Sequence, residues 1–284
     1  MRVNPLFIAA LLLAGCAGSP NSANAPANPP RLKAALEAES DGARRYGRGD
    51  YAAAARRFDE AARIHASIDD TTGAARNRLH LARSELAQGR AEAALLTLER
   101  ASGDAGTALD ALLLKAQAQL ALDRHPAAQQ SLAAAHGQCA GACPQAASLH
   151  LLQARTALAA KRAPDALAQA EAALKLLQDQ DEAAETGNAW RLIAAARLAA
   201  GDAVNALPAA RAALEIDRRL ALPEKIARDW LLIGDIRSGV GAGDTAAAYR
   251  RALEVANAAG LDDLARLAKA ALAVHDAVPQ RGTP

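Results

Sequence analysis

Residues 82–101 read ARSELAQGRAEAALLTLERA. Ala82, Ala94, Leu98 and Ala101 stand in it at steps of twelve, four and three. The same steps link Gly42, Ala54, Phe58 and Ala61; Ala116, Ala128, Leu132 and Ala135; Ala154, Ala166, Ala170 and Ala173; and Ala194, Ala206, Ala210 and Ala213. A sixth unit begins at Gly234, but its second half arrives one residue early, at Tyr249 and Ala252. The units start at 42, 82, 116, 154, 194 and 234, giving periods of 40, 34, 38, 40 and 40 residues. A self-similar period in this range is the mark of a solenoid, in which each unit buries its open apolar face against the next.

Composition agrees with thin, closely packed helices. Hydrophobic residues make up 51% of the 284-residue chain but aromatics only 2%, because Ala supplies so much of the apolar fraction. Ala favours helix and buries little area, so helices must approach closely to share a core. Lys and Arg number 33 against 31 Asp and Glu, a net charge of +2. A dedicated nucleic-acid binder carries a clear basic excess, so that class is set aside.

The spacing resembles the tetratricopeptide repeat (TPR), a pair of antiparallel helices with small residues where the helices cross and bulky ones between them. Trp190 and Trp230 stand four before Ala194 and Gly234, as the family's opening bulky residue does. Gly49, Gly89, Gly201 and Gly241 fall seven after the small residue, where the family turns, and Asp50 and Asp202 are placed to cap the second helix. Two turns depart from this: Asp123 and Lys161 replace glycine, and Pro126 and Pro164 start the next helices, where proline is tolerated. Pro208 falls inside a second helix and should kink it. Residues 261–278 read as one more amphipathic helix, with Leu264, Leu267, Ala268, Ala271 and Leu272 on its apolar face, closing the array as a cap. The resemblance implies an all-α, right-handed TPR-type solenoid of about six helix pairs plus a C-terminal capping helix, over residues 31–278, with residues 279–284 as a tail.

Residues 1–16, MRVNPLFIAALLLAGC, have Arg2 before a short apolar stretch of signal-peptide length. Leu13-Ala14-Gly15-Cys16 resembles the lipobox of bacterial lipoproteins. The resemblance implies removal of residues 1–15 and lipidation of Cys16, and several acyl chains anchor stably where one is marginal. Ala17 stands where inner-membrane lipoproteins often carry Asp, which points to the outer membrane. Residues 17–30, AGSPNSANAPANPP, lack apolar periodicity and read with Cys16 as a tether; fourteen residues reach at most about 45 Å.

Cys139 and Cys143 remain, four apart in a turn between units. In an exported chain a local disulfide is the first reading. Metal binding with His136 and His150 and a redox-active pair stay open, though the spacing lacks the paired CxxC form. His65, His80, His125 and His275 are expected on helix surfaces. No HExxH, GxSxG, Walker or GxGxxG pattern occurs, so the expectation is a non-enzyme without catalytic residues, resident metal or cofactor.

In TPR arrays the first helices line a concave face, and the resemblance carries that role to particular positions here. Arg76 and Arg83, then Gln117, then Arg155 are placed inward. Asn188 and Arg191, then Arg228 and Asp235, continue the stripe, with leucines between. Arginine and leucine together suit a peptide with carboxylate and apolar anchors. The pattern does not resemble the Lys/Asn clamp of chaperone-binding TPRs. The expected function is an outer-membrane-anchored periplasmic scaffold or assembly factor that binds an envelope protein or peptide. The competing expectation is a periplasmic lipoprotein that binds a small molecule, glycan or metal.

Overall fold

The computed structural model describes residues 28–101, 106–139, 143–178, 180–241 and 244–277. The lipobox, Cys16, most of the tether and the tail at 279–284 lie outside the described residues. Among those described, every regular element is a helix. The first pair is α1 (Pro30–Gly47) and α2 (Tyr51–Ser67); the second is α3 (Thr71–Ala87) and α4 (Ala91–Ala101); the third is α5 (Ala108–Ala121) and α6 (His125–Gln138). Then come α7 (Ala146–Ala159) with α8 (Ala163–Leu177), α9 (Ala183–Ala199) with α10 (Ala203–Arg219), and α11 (Pro223–Gly239) with α12 (Thr245–Ala258). A thirteenth helix, α13 (Asp262–Ala277), follows. Each helix packs on the next, and the first helices touch in sequence, α3 on α5, α5 on α7, α7 on α9, α9 on α11. This is the expected all-α solenoid of six pairs and a cap.

The small residues sit where helices cross. Ala82, Ala116, Ala154 and Ala194 on the first helices, and Ala94, Ala128, Ala166 and Ala206 on the second, are fully buried. Where the first small residue is glycine, the residue sixteen after it, or fifteen in the last pair, carries a ring; where it is alanine, that residue is leucine or alanine. Gly42 faces Phe58, and a Cβ on it would lie 2.8 Å from the ring; Gly234 stands in the same relation to Tyr249. Ala82 and Ala116 pair with Leu98 and Leu132, and Ala154 and Ala194 with Ala170 and Ala210, all buried. The volume at each crossing is shared between the two helices, so a ring on one demands no side chain on the other.

Every pair turns through a left-handed residue at the same place: Gly49, Gly89, Gly201 and Gly241 have positive φ, and so do Asp123 (φ 56°) and Lys161 (φ 57°). The turn geometry is thus constant and glycine is its cheapest occupant, not its cause. Asp50 and Asp202 accept the amide hydrogens of Ala53 and Asn205, each at 3.2 Å, as their capping role requires. Between pairs, Ala221 is also left-handed (φ 51°). An L side chain there costs about 1–2 kcal/mol. Ala221→Gly should therefore raise stability by about 1 kcal/mol, net of the entropy glycine adds to the unfolded chain; a lower thermal midpoint than the parent would contradict this.

α10 holds Pro208 inside one helix from Ala203 to Arg219. Pro208 and Val204, whose carbonyl loses its helical donor, are both exposed, so water can supply the missing bond. Two expectations need correction. On α13, Leu264 and Ala268 are buried but Leu267 is 58% exposed, so the cap's apolar face is narrower than its spacing suggests. His65 is 1% exposed, not on the surface, and His80 is half-buried and stacked on Phe58.

One set of three positions changes character along the array. It comprises the residue three before the small residue of a first helix, four after the last small residue of the second, and five before the small residue of the next pair. In the middle junctions it is apolar: Leu113, Cys139 and Leu149, then Leu151, Leu177 and Ala189, each set sharing one cluster. At the first junction it is Glu39, His65 and Asn77, and at the last Arg191, Asp217 and Asp229. Asn77 donates to Glu39 Oε2 at 3.1 Å, and His65 Nε2 lies 3.7 Å from the same oxygen. His65 Nδ1 also meets Asp70 Oδ2 at 2.7 Å, beside the cap that Asp70 makes on Gly73. The solenoid is stacked through apolar contacts in its centre and through buried polar sets at both flanks.

Candidate concave binding site

Four neighbouring first helices, α5, α7, α9 and α11, build a concave groove of about 910 Å³, with Arg83 of α3 at one end. Its floor is Leu113 and Leu114 of α5, Leu151 and Leu152 of α7, and Leu192 of α9, with Gln117, Ser148 and Asn188 between them. Arg83, Arg155, Arg191, Lys225 and Arg228 bring positive charge; Asp110, Glu182, Glu185 and Glu224 bring negative charge.

Of the stripe expected from sequence, Arg83, Gln117, Arg155, Asn188, Arg191 and Arg228 line this groove. Arg76 and Asp235 do not. Arg76 forks onto Glu39 of α1, with its Nη2 3.0 Å from Oε2, and Asp235 accepts from the Tyr249 hydroxyl at 2.8 Å. Both are occupied in holding helices together.

The six that do line it are not equivalent. Arg191 reaches the groove wall, but its guanidinium is spent inside. It bonds Asp217 with Nη2, Asp229 Oδ1 with Nε at 2.6 Å, and Asn188 Oδ1 with Nη1 at 2.9 Å. Asp217 and Asp229 are fully buried. Arg228 is tied to Glu224 one turn earlier, at 2.9 Å. Arg155 has no ion pair or hydrogen bond among the described residues, and Arg83 has none either. Arg155 is reached by solvent and yet walled by protein on the concave side. That wall, and then the like charge of Arg228, lowers its pKa below the usual guanidinium value. It is exposed and has no hydrogen-bonded partner among the described residues; the Glu185 carboxylate acts on it in the opposite direction, from beyond ion-pair distance.

Two carboxylates on one guanidinium leave the buried Arg191 set with a net charge of −1 when all are ionised. Burial, against the pull of Arg191 and with Asp217 adding repulsion, pushes Asp229 up to about 7. Asp217 Oδ1 and Asp229 Oδ2 have no hydrogen-bond partner, so a proton on the pair removes the surplus charge and supplies a donor. The folded chain then binds more protons than the unfolded one between about pH 4 and 7, and stability falls as pH rises through that window. Asp235, also raised by burial, acts in the same direction; His80, lowered by burial, opposes it. Comparison with Asp229→Asn isolates the pair. The parent's thermal midpoint, relative to the variant's, should drop between pH 5 and 7.5 by the equivalent of a few kcal/mol. Parallel profiles would show that the pair holds no proton.

The sulfurs of Cys139 and Cys143 are bonded, with Cα atoms 5.4 Å apart, closing the end of α6 to the entry of α7. His150 pairs with Gln169 Oε1 at 2.7 Å, and His136 is exposed on α6. Among the described residues no three His, Cys, Asp or Glu side chains gather as a metal would need.

The class is now defined: a TPR-type α-solenoid with an open concave face. Comparison with models of known protein families finds no match, and no curated protein sequence matches the chain. The likeness lies in solved structures. The apo form of RapI superposes with a TM-score of 0.58 at 13% identity, over 80% of this chain and 66% of RapI. The chain thus spans about two thirds of that protein's length. BtubC from P. vanneervenii has a TM-score of 0.49 at 16% identity, over 81% of this chain and 91% of its own. The TPR2AB domain of yeast Sti1, in a complex named for pHSP90, has a TM-score of 0.39 at 14% identity, over 84% of this chain and 97% of its own. At these identities the RapI likeness establishes the fold and nothing more, and the other two carry no argument.

Proposed function

We propose that this chain is a protein-interaction scaffold or assembly factor of the bacterial cell envelope, held through a lipid on Cys16 to the periplasmic face of the outer membrane. The groove carries the interaction reading. It is open along four helices, so an elongated partner segment fits it better than a compact small molecule. Its apolar floor and unpaired arginines offer both kinds of anchor that peptide recognition uses. The lipobox at Leu13–Cys16 and the tether after it support the membrane placement, and Ala17 supports the outer membrane over the inner.

A photoreactive residue in place of Gln117, on the groove floor, tests the interaction in intact cells. Irradiation should trap one or a few envelope proteins, and the same residue on the outer helix α6 should not trap them. Equal, unspecific adducts from both positions would end the scaffold reading. Cys16→Ser should release the protein from membranes on fractionation; unchanged fractionation would end the anchor reading while leaving the interaction untouched.

A further inference from the structure

Three first helices in a row present the residue that follows their small position to the groove: Arg83 on α3, Gln117 on α5 and Arg155 on α7. These helices touch in sequence. Neighbouring helix axes stand 8–10 Å apart, so the helices that carry Arg83 and Arg155 are at most about 20 Å apart, with that of Gln117 between them. An extended chain rises 3.2–3.4 Å per residue, and about six residues cover that span.

The charges in the groove differ in how they are compensated. Each carboxylate sits at a helix start: Asp110 in the first turn of α5, Glu182 at the N-cap of α9, Glu185 in its first turn, Glu224 in the first turn of α11. There the unsatisfied amides and the helix dipole offset a negative charge. Glu185 further accepts from Asn188 at 3.0 Å, and Glu224 from Arg228. Arg83 and Arg155 stand inside their helices, away from the termini and with no ion pair among the described residues; Glu185 acts on Arg155 only from beyond ion-pair distance. The charge left to be answered on this face is therefore positive: Arg83 and Arg155 have no hydrogen-bonded partner among the described residues, and Lys225 at the far end has only the Ala184 carbonyl. A polyanion such as a nucleic acid fits badly, because the carboxylates along the helix starts would repel a continuous line of phosphates.

We infer that the groove holds an extended acidic peptide whose two carboxylate side chains, about six residues apart, pair with Arg83 and Arg155. This rests on the scaffold reading and adds the partner's chemistry to it. Each guanidinium presents a planar fork of N–H donors that matches one carboxylate bidentately. Between them, the Gln117 side-chain amide faces the peptide backbone, where it can both donate and accept. Leu113 and Leu151 contribute the edges of an apolar floor for the intervening side chains.

Fluorescence anisotropy with the purified full chain tests this. The probes are labelled peptides of about ten Ser, Thr and Leu residues with two glutamates six positions apart, the same peptide with both replaced by glutamine, and one with the glutamates three apart. The six-spaced acidic peptide should bind roughly tenfold more tightly than the three-spaced one, which can make one charge-assisted pair at a time, and roughly a hundredfold more tightly than the glutamine peptide, which makes none. Arg83→Gln and Arg155→Gln should each remove about tenfold of that affinity, with melting curves like the parent's. Raised salt should weaken the acidic peptide selectively. Equal affinity for acidic and glutamine peptides, no preference for the six-residue spacing, or no binding at all would overturn the proposal; that comparison is made on the unaltered protein and does not depend on a variant folding. Failure here is separable from failure of the scaffold reading. A partner trapped in cells at position 117 that ignores both arginines leaves the scaffold standing and removes only this chemistry.

Discussion

Arg191→Met is expected to cost about 3–5 kcal/mol of stability, a large part of what a natural fold has to spare. The side chain is only 17% exposed, and what it leaves behind is worse than what it takes away. Asp217 and Asp229 are fully buried, and Arg191 is the cation that answers both. Without it, two carboxyl groups remain in the α9–α10–α11 junction; at least one must take up a proton and lose its bonds. The loss should therefore shrink at pH 5, where protonation comes more easily. The counter-experiment is the triple replacement Arg191→Leu, Asp217→Leu, Asp229→Ala, which copies the apolar set Leu151, Leu177 and Ala189 of the preceding junction. Apolar replacement of a whole buried ionic set is commonly neutral or stabilising, so the triple variant should recover most or all of the stability. Urea unfolding would decide it. A single variant as stable as the parent would mean the carboxylates are hydrated; a triple variant as weak as the single one would mean that packing, not charge, is what Arg191 contributes.

Gly234→Ala is expected to destabilise the chain although alanine is the better helix former. Its Cβ would meet the edge of the Tyr249 ring, which is buried and held at its hydroxyl by Asp235. The ring cannot yield without breaking that bond, and overpacking of this kind costs about 1–3 kcal/mol or more. Alanine's better helix propensity returns about 1 kcal/mol, so the net effect is destabilising but moderate. The decisive measurement is the double-mutant cycle with Tyr249→Leu. In that background the clash is gone, the junction matches Ala82 with Leu98, and Gly234→Ala should become stabilising. A substitution that keeps the same sign in both backgrounds would show that the ring is not what demands glycine.

Both results bear on how much of this protein can be read before it is folded. The helices were legible because alanine and glycine recur where helices cross, and the turn positions because glycine recurs there. Asp123 and Lys161 show the limit: the left-handed turn is kept where its glycine is lost, and only the repeat register, not the residue, locates it. The groove was legible as a stripe on the first helices, yet Arg76, Arg191 and Asp235 are committed to holding helices together. Asp235 stands one after its small residue, as Arg155 does, while Arg76 and Arg191 stand six and three before theirs on the same stripe. The sequence does carry a signal for these pairings. Lined up by repeat, the columns that hold leucine and alanine in the middle of the chain hold Glu39, His65 and Asn77 at one end and Arg191, Asp217 and Asp229 at the other, and polar residues in an apolar column pair with each other.

The sequence by itself determined the repeat, the count of helix pairs and the face that each first helix turns inward, because these follow from local spacing. It did not determine which arginines are free. That is settled by residues some 26 to 38 positions away, as Asp217 and Asp229 are from Arg191, brought together only when one pair stacks on the next. Whether a charge is neutralised inside the solenoid or left on its concave surface is a property of that stacking, and it is what singles out Arg155 and Arg83 from their neighbours.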